Sequence, residues 1–317
     1  MLNEVPSPTQ IGAFLIAHRI QRPKAKELAG MIDIYNQLGP SVKSHKNQKR
    51  PICFGMPFDG RNRTSPVFPL SVLILLCANQ PVVLQGGERM PVKYGVTTEE
   101  LFNSLGLNLK GLSTTTLCSG FQEHDFAFMY QPDHFPLAQN LISYRDEIGK
   151  RPPIASMELL WTFHKGNHLI ISGFVHTPTE LRHWETLKIM GEEAFITIKG
   201  LEGGIDIPIS RPSTIGNFKE NGSEKLIIDP QEYGFKSKDL KWTDINTWKD
   251  HALKALNNEG PLKDALCWNA GLYLFLSGVA KDIQAGLDEA NYIISSKLAY
   301  EKLNQLIEWR SKQEVQS

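Results

Sequence analysis

Pro51-Ile-Cys-Phe-Gly-Met-Pro-Phe-Asp-Gly60-Arg-Asn-Arg-Thr-Ser-Pro-Val-Phe-Pro-Leu70-Ser-Val-Leu-Ile-Leu-Leu-Cys77 is the stretch whose reading decides the fold. It begins as a short apolar run, Ile52-Cys53-Phe54, too short for a helix and bounded by turn residues. A glycine-containing loop from Gly55 to Gly60 follows, and then an apolar stretch with helical texture. Strand, glycine turn and helix in that order form half of a βαβ unit.

The same texture recurs downstream. Val82-Val83-Leu84 runs into Gly86-Gly87, and further short apolar runs lie at Phe126–Met129, His168–Phe174 and Ala194–Ile198. Strands alternating with helices, without polar alternation inside the strands, predict a largely parallel sheet covered on both faces. Upstream, Ile11, Phe14, Leu15 and Ile20, then Leu28, Met31, Ile32 and Tyr35, place apolar groups at helical spacing on either side of Gln21-Arg22-Pro23. Gly39-Pro40 closes that pair, and Ser41–Arg50 reads as a polar, basic linker. The chain from about Thr243 onward is helical, with an amphipathic helix expected from about Ile283 to Arg310. The expected class is therefore α/β. A small all-helical N-terminal domain spans 1–45, joined by part of about 140–165. A large α/β domain with C-terminal helices spans 46–317.

Composition narrows the function. In 317 residues, 34 Lys+Arg balance 34 Asp+Glu, and 41% of the chain is hydrophobic. That is the make-up of a globular chain, and it excludes disordered, collagen-like and coiled-coil classes as well as a globally cationic nucleic-acid binder. The four cysteines, Cys53, Cys77, Cys118 and Cys267, form no CxxC pair, so a disulfide framework or zinc ribbon is not expected. The apolar run Val67–Ala78 is too short to cross a bilayer. With no basic, then apolar leader in view, a cytoplasmic location is expected.

In a doubly covered parallel sheet, ligands bind beyond the carboxyl ends of the strands, so chemistry is sought in the loops after Phe54 and Leu84. There, and along most of the chain, the sequence resembles the anthranilate phosphoribosyltransferase family (glycosyltransferase family 3). The resemblance rests on Gln10–Arg19, Phe54–Gly60, Gln85–Arg89, Asp133–Pro136, Tyr144–Gly149, Ile205–Ile207, Asp229–Gly234 and Trp268–Gly271, in that order. It implies the fold shared with the pyrimidine nucleoside phosphorylases and a homodimer joined through the small helical domain. It also implies phosphoribosyl pyrophosphate and magnesium as ligands.

The residues that would carry that chemistry depart from the family pattern. The family's Gly-Thr-Gly-Gly-Asp-Gly loop, whose bare N–H groups receive a pyrophosphate, here reads Gly55-Met56-Pro57-Phe58-Asp59-Gly60. Pro57 has no N–H to donate. The polar Asn, Ser and Thr positions that follow fall on Ser65, Val67 and Phe68, after Thr64. In the second loop the Lys-His pair is absent, leaving Gly86 and Arg89, and one carboxylate, Asp206, stands where the family supplies an Asp-Glu pair for magnesium. Arg145 and Arg151 fall at or near the positions that hold the aromatic acid's carboxylate, and His134 falls in the family's His-His-Pro segment.

Cations are added where polar groups are lost: Arg61 and Arg63 beside the first loop, Arg89 and Lys93 in the second, and Lys43, Lys46, Lys49 and Arg50 in the linker. Residues 1–63 carry ten Lys+Arg against four acids, an excess of six that the rest of the chain balances. Phe58 and Phe68 are read first as core residues and second as rings on which bases stack. This pattern is similar to a divergent branch of the family that keeps the fold and binds nucleic acid as homodimers. The preferred expectation is thus a polyanion-binding protein with reduced phosphoribosyl-pyrophosphate and magnesium loops, its ligand single-stranded nucleic acid and no cofactor required. The alternative is an active phosphoribosyltransferase using magnesium and an anthranilate-like or nucleobase acceptor.

Overall fold

The computed structural model describes residues 6–46, 48–219 and 222–314. Among the described residues nine strands follow one another: β1 (Val42–Lys43), β2 (Ile52–Gly55), β3 (Val82–Gly86), β4 (Phe126–Tyr130), β5 (His164–Lys165), β6 (Leu169–Gly173), β7 (Ala194–Ile198), β8 (Ser213–Lys219) and β9 (Gly222–Ile228). Seven of them form the central sheet in the order β4-β3-β2-β6-β7-β8-β9, while β1 and β5 pair separately. The five strands from β4 to β7 in that order are parallel, as the apolar runs predict.

The sheet continues beyond the expected strands. β8 pairs antiparallel with β7, and β9 with β8.

Burial explains why the five parallel strands are apolar throughout. Side chains alternate across a strand. Ile52, Phe54, Val82, Leu84, Phe126, Phe128, Leu169, Ile171, Ile196 and Ile198 face one core. Cys53, Val83, Ala127, Met129, Ile170 and Phe195 face the other. The first core is closed by α3 (Phe68–Cys77) and the C-terminal helices, including Lys263–Leu276. The second is closed by α1 (Pro8–Gln21), α2 (Ala25–Leu38) and the segment from Phe135 to Phe163. The two N-terminal helices thus share a continuous core with the sheet. The expected linker contributes β1, which pairs with β5. The single helix expected from Ile283 to Arg310 is two, Ile283–Ser295 and Leu298–Glu314. It breaks at Lys297, whose φ of 60° cannot continue a right-handed helix.

The strand order reverses direction between β2 and β6. Such a switch point opens a crevice beyond the carboxyl ends of the two strands, here Gly55 and Gly173. Among the described residues, no helix is long and apolar enough to cross a membrane.

Candidate functional site

The loop after β2 turns back at once. Gly60, at φ 76°, donates its N–H to Pro57 O, and the chain then bridges to Val96 through Arg61. This tight turn buries Met56, Phe58 and Asp59 and directs Arg61 inward, where only 3% of its surface remains exposed. Phe58 and Phe68 are core residues and present no ring face to a ligand.

Arg61 meets two carboxylates contributed by the turn after β7. Its Nη1 lies 2.9 Å from Asp206 Oδ2, and its Nε lies 3.2 Å from Glu202 Oε1. Its Nη2 donates to Thr64 Oγ1. Glu202 also accepts from the backbone N–H groups of Arg63 at 3.0 Å and Thr64 at 2.9 Å, and from the Thr64 hydroxyl at 3.0 Å. Asp206 Oδ2 accepts from Val67 N–H at 3.0 Å, at the start of α3, a helix with no side-chain cap of its own. A helix N-terminus and a run of loop N–H groups make a natural anion site. In this chain its anions are Glu202 and Asp206.

The electrostatics follow. Burial opposes ionisation of Glu202, but Arg61 and the Thr64 and Arg63 N–H groups outweigh it and hold the carboxyl down to about 2. Burial wins at Asp206 and pushes its carboxyl up, against the pull of Arg61 and the Val67 N–H. Glu202 was absent from the sequence expectations. Its mark in the sequence is an acid set among glycines in Gly200-Leu-Glu-Gly-Gly204, just after β7, and in the structure it is held left-handed at φ 56°.

This arrangement does not fit a magnesium ion held by Asp206. The Arg61 guanidinium already lies between the two carboxylates, and Ile207, in the place of the family's second acid, is buried in the core. Asp206 Oδ1 is buried without a partner among the described residues.

The remaining expected residues disperse. Asp59 is buried, and its Oδ1 holds Arg151 Nη2 at 3.1 Å and Lys93 Nζ at 4.0 Å. Burial pulls the Lys93 amine down, against Asp59. Arg145 is buried in an ion pair with Glu158, 2.5 Å apart, and so is not presented to an acceptor. His134 follows β4, with Nδ1 3.0 Å from the Tyr130 backbone, and burial lowers its affinity for a proton. Arg89 is exposed and pairs with Glu100, near Gly86 at the end of β3. Arg63 keeps 75% of its side chain exposed. The linker cations Lys43, Lys46, Lys49 and Arg50 are exposed, but they precede β2 and so lie at the amino ends of the strands, away from the loops. They do not extend the crevice.

The crevice at the switch point is a cleft of about 700 Å³ lined by Gly173, Arg19, Arg22, Arg151, Arg182 and Glu202, among others. A second cleft of about 590 Å³ adjoins it, sharing Arg22 and Arg182 and adding Lys24 and Lys26. The composite groove has six cations facing Glu185 and Glu202, and Glu202 is already matched by Arg61. Arg19, Arg22, Lys24, Lys26 and Arg182 make no ion pair among the described residues. Arg22 is held at φ 61° at the end of α1, an uncommon conformation for its type. Arg22 and Arg182 were not singled out by motif, because no pattern in their neighbourhoods marks them.

No family model matches the chain. It is 23% identical over 310 residues to the anthranilate phosphoribosyltransferase of Acidovorax sp. (strain JS42), covering 96% of this chain and 89% of that one. It is 25% identical over 322 residues to the same enzyme of Thermoanaerobacter sp. (strain X514), covering 98% and 92%. The crystal structure of anthranilate phosphoribosyltransferase from Thermus thermophilus matches with a TM-score of 0.81 at 19% identity, over 98% of this chain and 92% of that one. The Saccharomyces cerevisiae enzyme in complex with phosphoribosyl pyrophosphate and Mg matches with a TM-score of 0.81 at 15% identity, over 98% and 90%. The chain therefore has the fold of anthranilate phosphoribosyltransferase and is similar in sequence to that family along nearly its whole length.

Proposed function

We propose that the chain binds a polyanion along the arginine-lined groove, with single-stranded nucleic acid as the leading class, and that it does not transfer a phosphoribosyl group. The observation that carries this reading is the Glu202–Arg61–Asp206 cluster. The N–H groups of Arg63 and Thr64, just after the first loop, and of Val67 at the α3 N-terminus already have carboxylate partners, so a pyrophosphate reaching them would have to displace two buried anions. The cations that make no ion pair among the described residues line the two adjoining clefts, where they can meet successive phosphates. Fold alone does not decide between these activities.

A second reading, phosphoribosyl transfer to an aromatic or nucleobase acceptor, has the relatives' name in its favour and the placement of Arg151, anchored by Asp59 at the cleft. Titration calorimetry separates the two. An oligonucleotide should release heat on binding, and Arg22→Ala with Arg182→Ala should weaken it at least tenfold. Phosphoribosyl pyrophosphate with magnesium should give no saturable heat. Anthranilate-dependent release of pyrophosphate at enzymatic rates would overturn the proposal.

A further inference from the structure

At the opposite end of the sheet from the groove lies a cluster that the proposed function does not use. Cys53 of β2, His164 of β5 and His168, which immediately precedes β6, bring one ligand atom each within 4.8 Å of one another. Cys53 and His164 are each 2% exposed. The His168 ring is 8% exposed. Fold topology creates this proximity, because β5 leads directly into β6 and Cys53 is paired with Ile170.

The orientation of the two rings is informative. His164 Nδ1 and His168 Nδ1 face each other at 3.2 Å, while their Nε2 atoms point away to partners of their own. His164 Nε2 is 3.0 Å from Ser44 Oγ, and His168 Nε2 is 3.2 Å from Glu192 Oε2. Metal-bound imidazoles are oriented in this way, one nitrogen on the metal and the other donating to a hydroxyl, carbonyl or carboxylate. In the tautomers where both Nε2 atoms donate, two Nδ1 lone pairs confront each other and a cation between them is favoured; where the Ser44 hydroxyl donates to His164 Nε2, the His164 Nδ1–H fills that gap. Two nitrogens on a tetrahedral zinc at ~2.05 Å stand about 3.3 Å apart, close to the separation found. A cavity of about 210 Å³ borders both histidines and leaves room for a solvent ligand.

We propose that Cys53, His164 and His168 bind a borderline-soft transition-metal dication of the zinc class through the Cys53 thiolate and the two Nδ1 atoms, with water from the cavity as fourth ligand. Glu192 and Ser44 act as positioning residues. A thiolate with imidazoles selects zinc or cobalt over magnesium or calcium. Binding must expel the Cys53 proton, so affinity rises with pH and roughly one proton is released per metal bound near neutrality.

Cobalt(II) added to the metal-free full chain is the probe. The expected result is one equivalent bound, with tetrahedral visible bands, a thiolate-to-cobalt charge-transfer band and displacement by zinc. Cys53→Ser should remove the charge-transfer band, whereas Cys118→Ser should keep it. Glu192→Gln should weaken binding 10–100-fold while leaving the spectrum at saturation unchanged. If the wild-type chain, folded by circular dichroism, binds no cobalt, or binds it without a thiolate band, the site does not exist. In that case a single proton joins the two Nδ1 atoms instead.

Discussion

Glu202 shows how one side chain can change the meaning of a loop. Read along the chain, Arg61 is a cation beside a glycine turn. In space it is the centre of a buried triad whose acids come from about 140 residues away. The residue types were legible and the pairing was not, because nothing in a local window reports a partner at that separation. A carboxyl held at about 2 in the fold, against about 4.3 in the unfolded chain, contributes roughly 3 kcal/mol at neutral pH. The depressed value fixes the sign. The contribution is complete above pH ~4.3 and disappears as pH falls through about 2. Glu202→Gln should therefore lower stability by about that amount in urea unfolding at pH 7. The difference between variant and wild type should shrink steadily from pH 4 downward. Equal loss at pH 7 and pH 2 would mean that the charge of Glu202 is not what holds the loop.

Elements were more legible than contacts. The five parallel strands stand out because both of their faces are buried, leaving short runs with no polar alternation. The hairpin β8–β9 was missed because its outer strand is largely exposed and β8 mixes polar with apolar residues, leaving Leu226-Ile227-Ile228 as a short apolar run with no glycine turn and helix after it. The small helical unit was legible by periodicity, but its continuity with the sheet core was not, since Phe135 to Phe163 mixes short helices with loops. One close approach fixes how that segment meets the sheet. A Cβ on Gly55 at the end of β2 would lie 1.9 Å from the backbone oxygen of Leu159. The neighbouring Gln85 amide, at the end of β3, donates to Glu158 O and Trp161 O. The segment thus meets the end of β2 backbone against backbone and is tied to β3 by the Gln85 side chain, and neither can move aside cheaply. Gly55→Ala should cost about 3 kcal/mol or more, read as a lower midpoint in denaturant with an unchanged slope. Leu159 lines the groove, so the same variant should also weaken anion binding. A neutral Gly55→Ala would show that the segment yields.

Over the whole molecule, zero net charge conceals a division. The excess of six over residues 1–63 includes Arg19, Arg22, Lys24 and Lys26 in the groove, but Lys43, Lys46, Lys49 and Arg50 at the far end of the sheet. The remaining chain carries the matching deficit. Attraction of a polyanion is then local, felt within a Debye length of ~10 Å, with no long-range steering. If the six groove cations neutralise six phosphates of a single strand, log K should fall against log salt with a slope of about −4, or roughly 300-fold between 50 and 200 mM. Removing Arg22 and Arg182 together should reduce that slope by about 1.4. Replacing Lys46, Lys49 and Arg50 by alanine should leave it unchanged, because those side chains lie beyond the amino ends of the strands. Fluorescence anisotropy of a labelled oligonucleotide across that salt range tests both statements. A slope that responds to the linker and not to Arg22 and Arg182 would move the binding surface to the other end of the sheet.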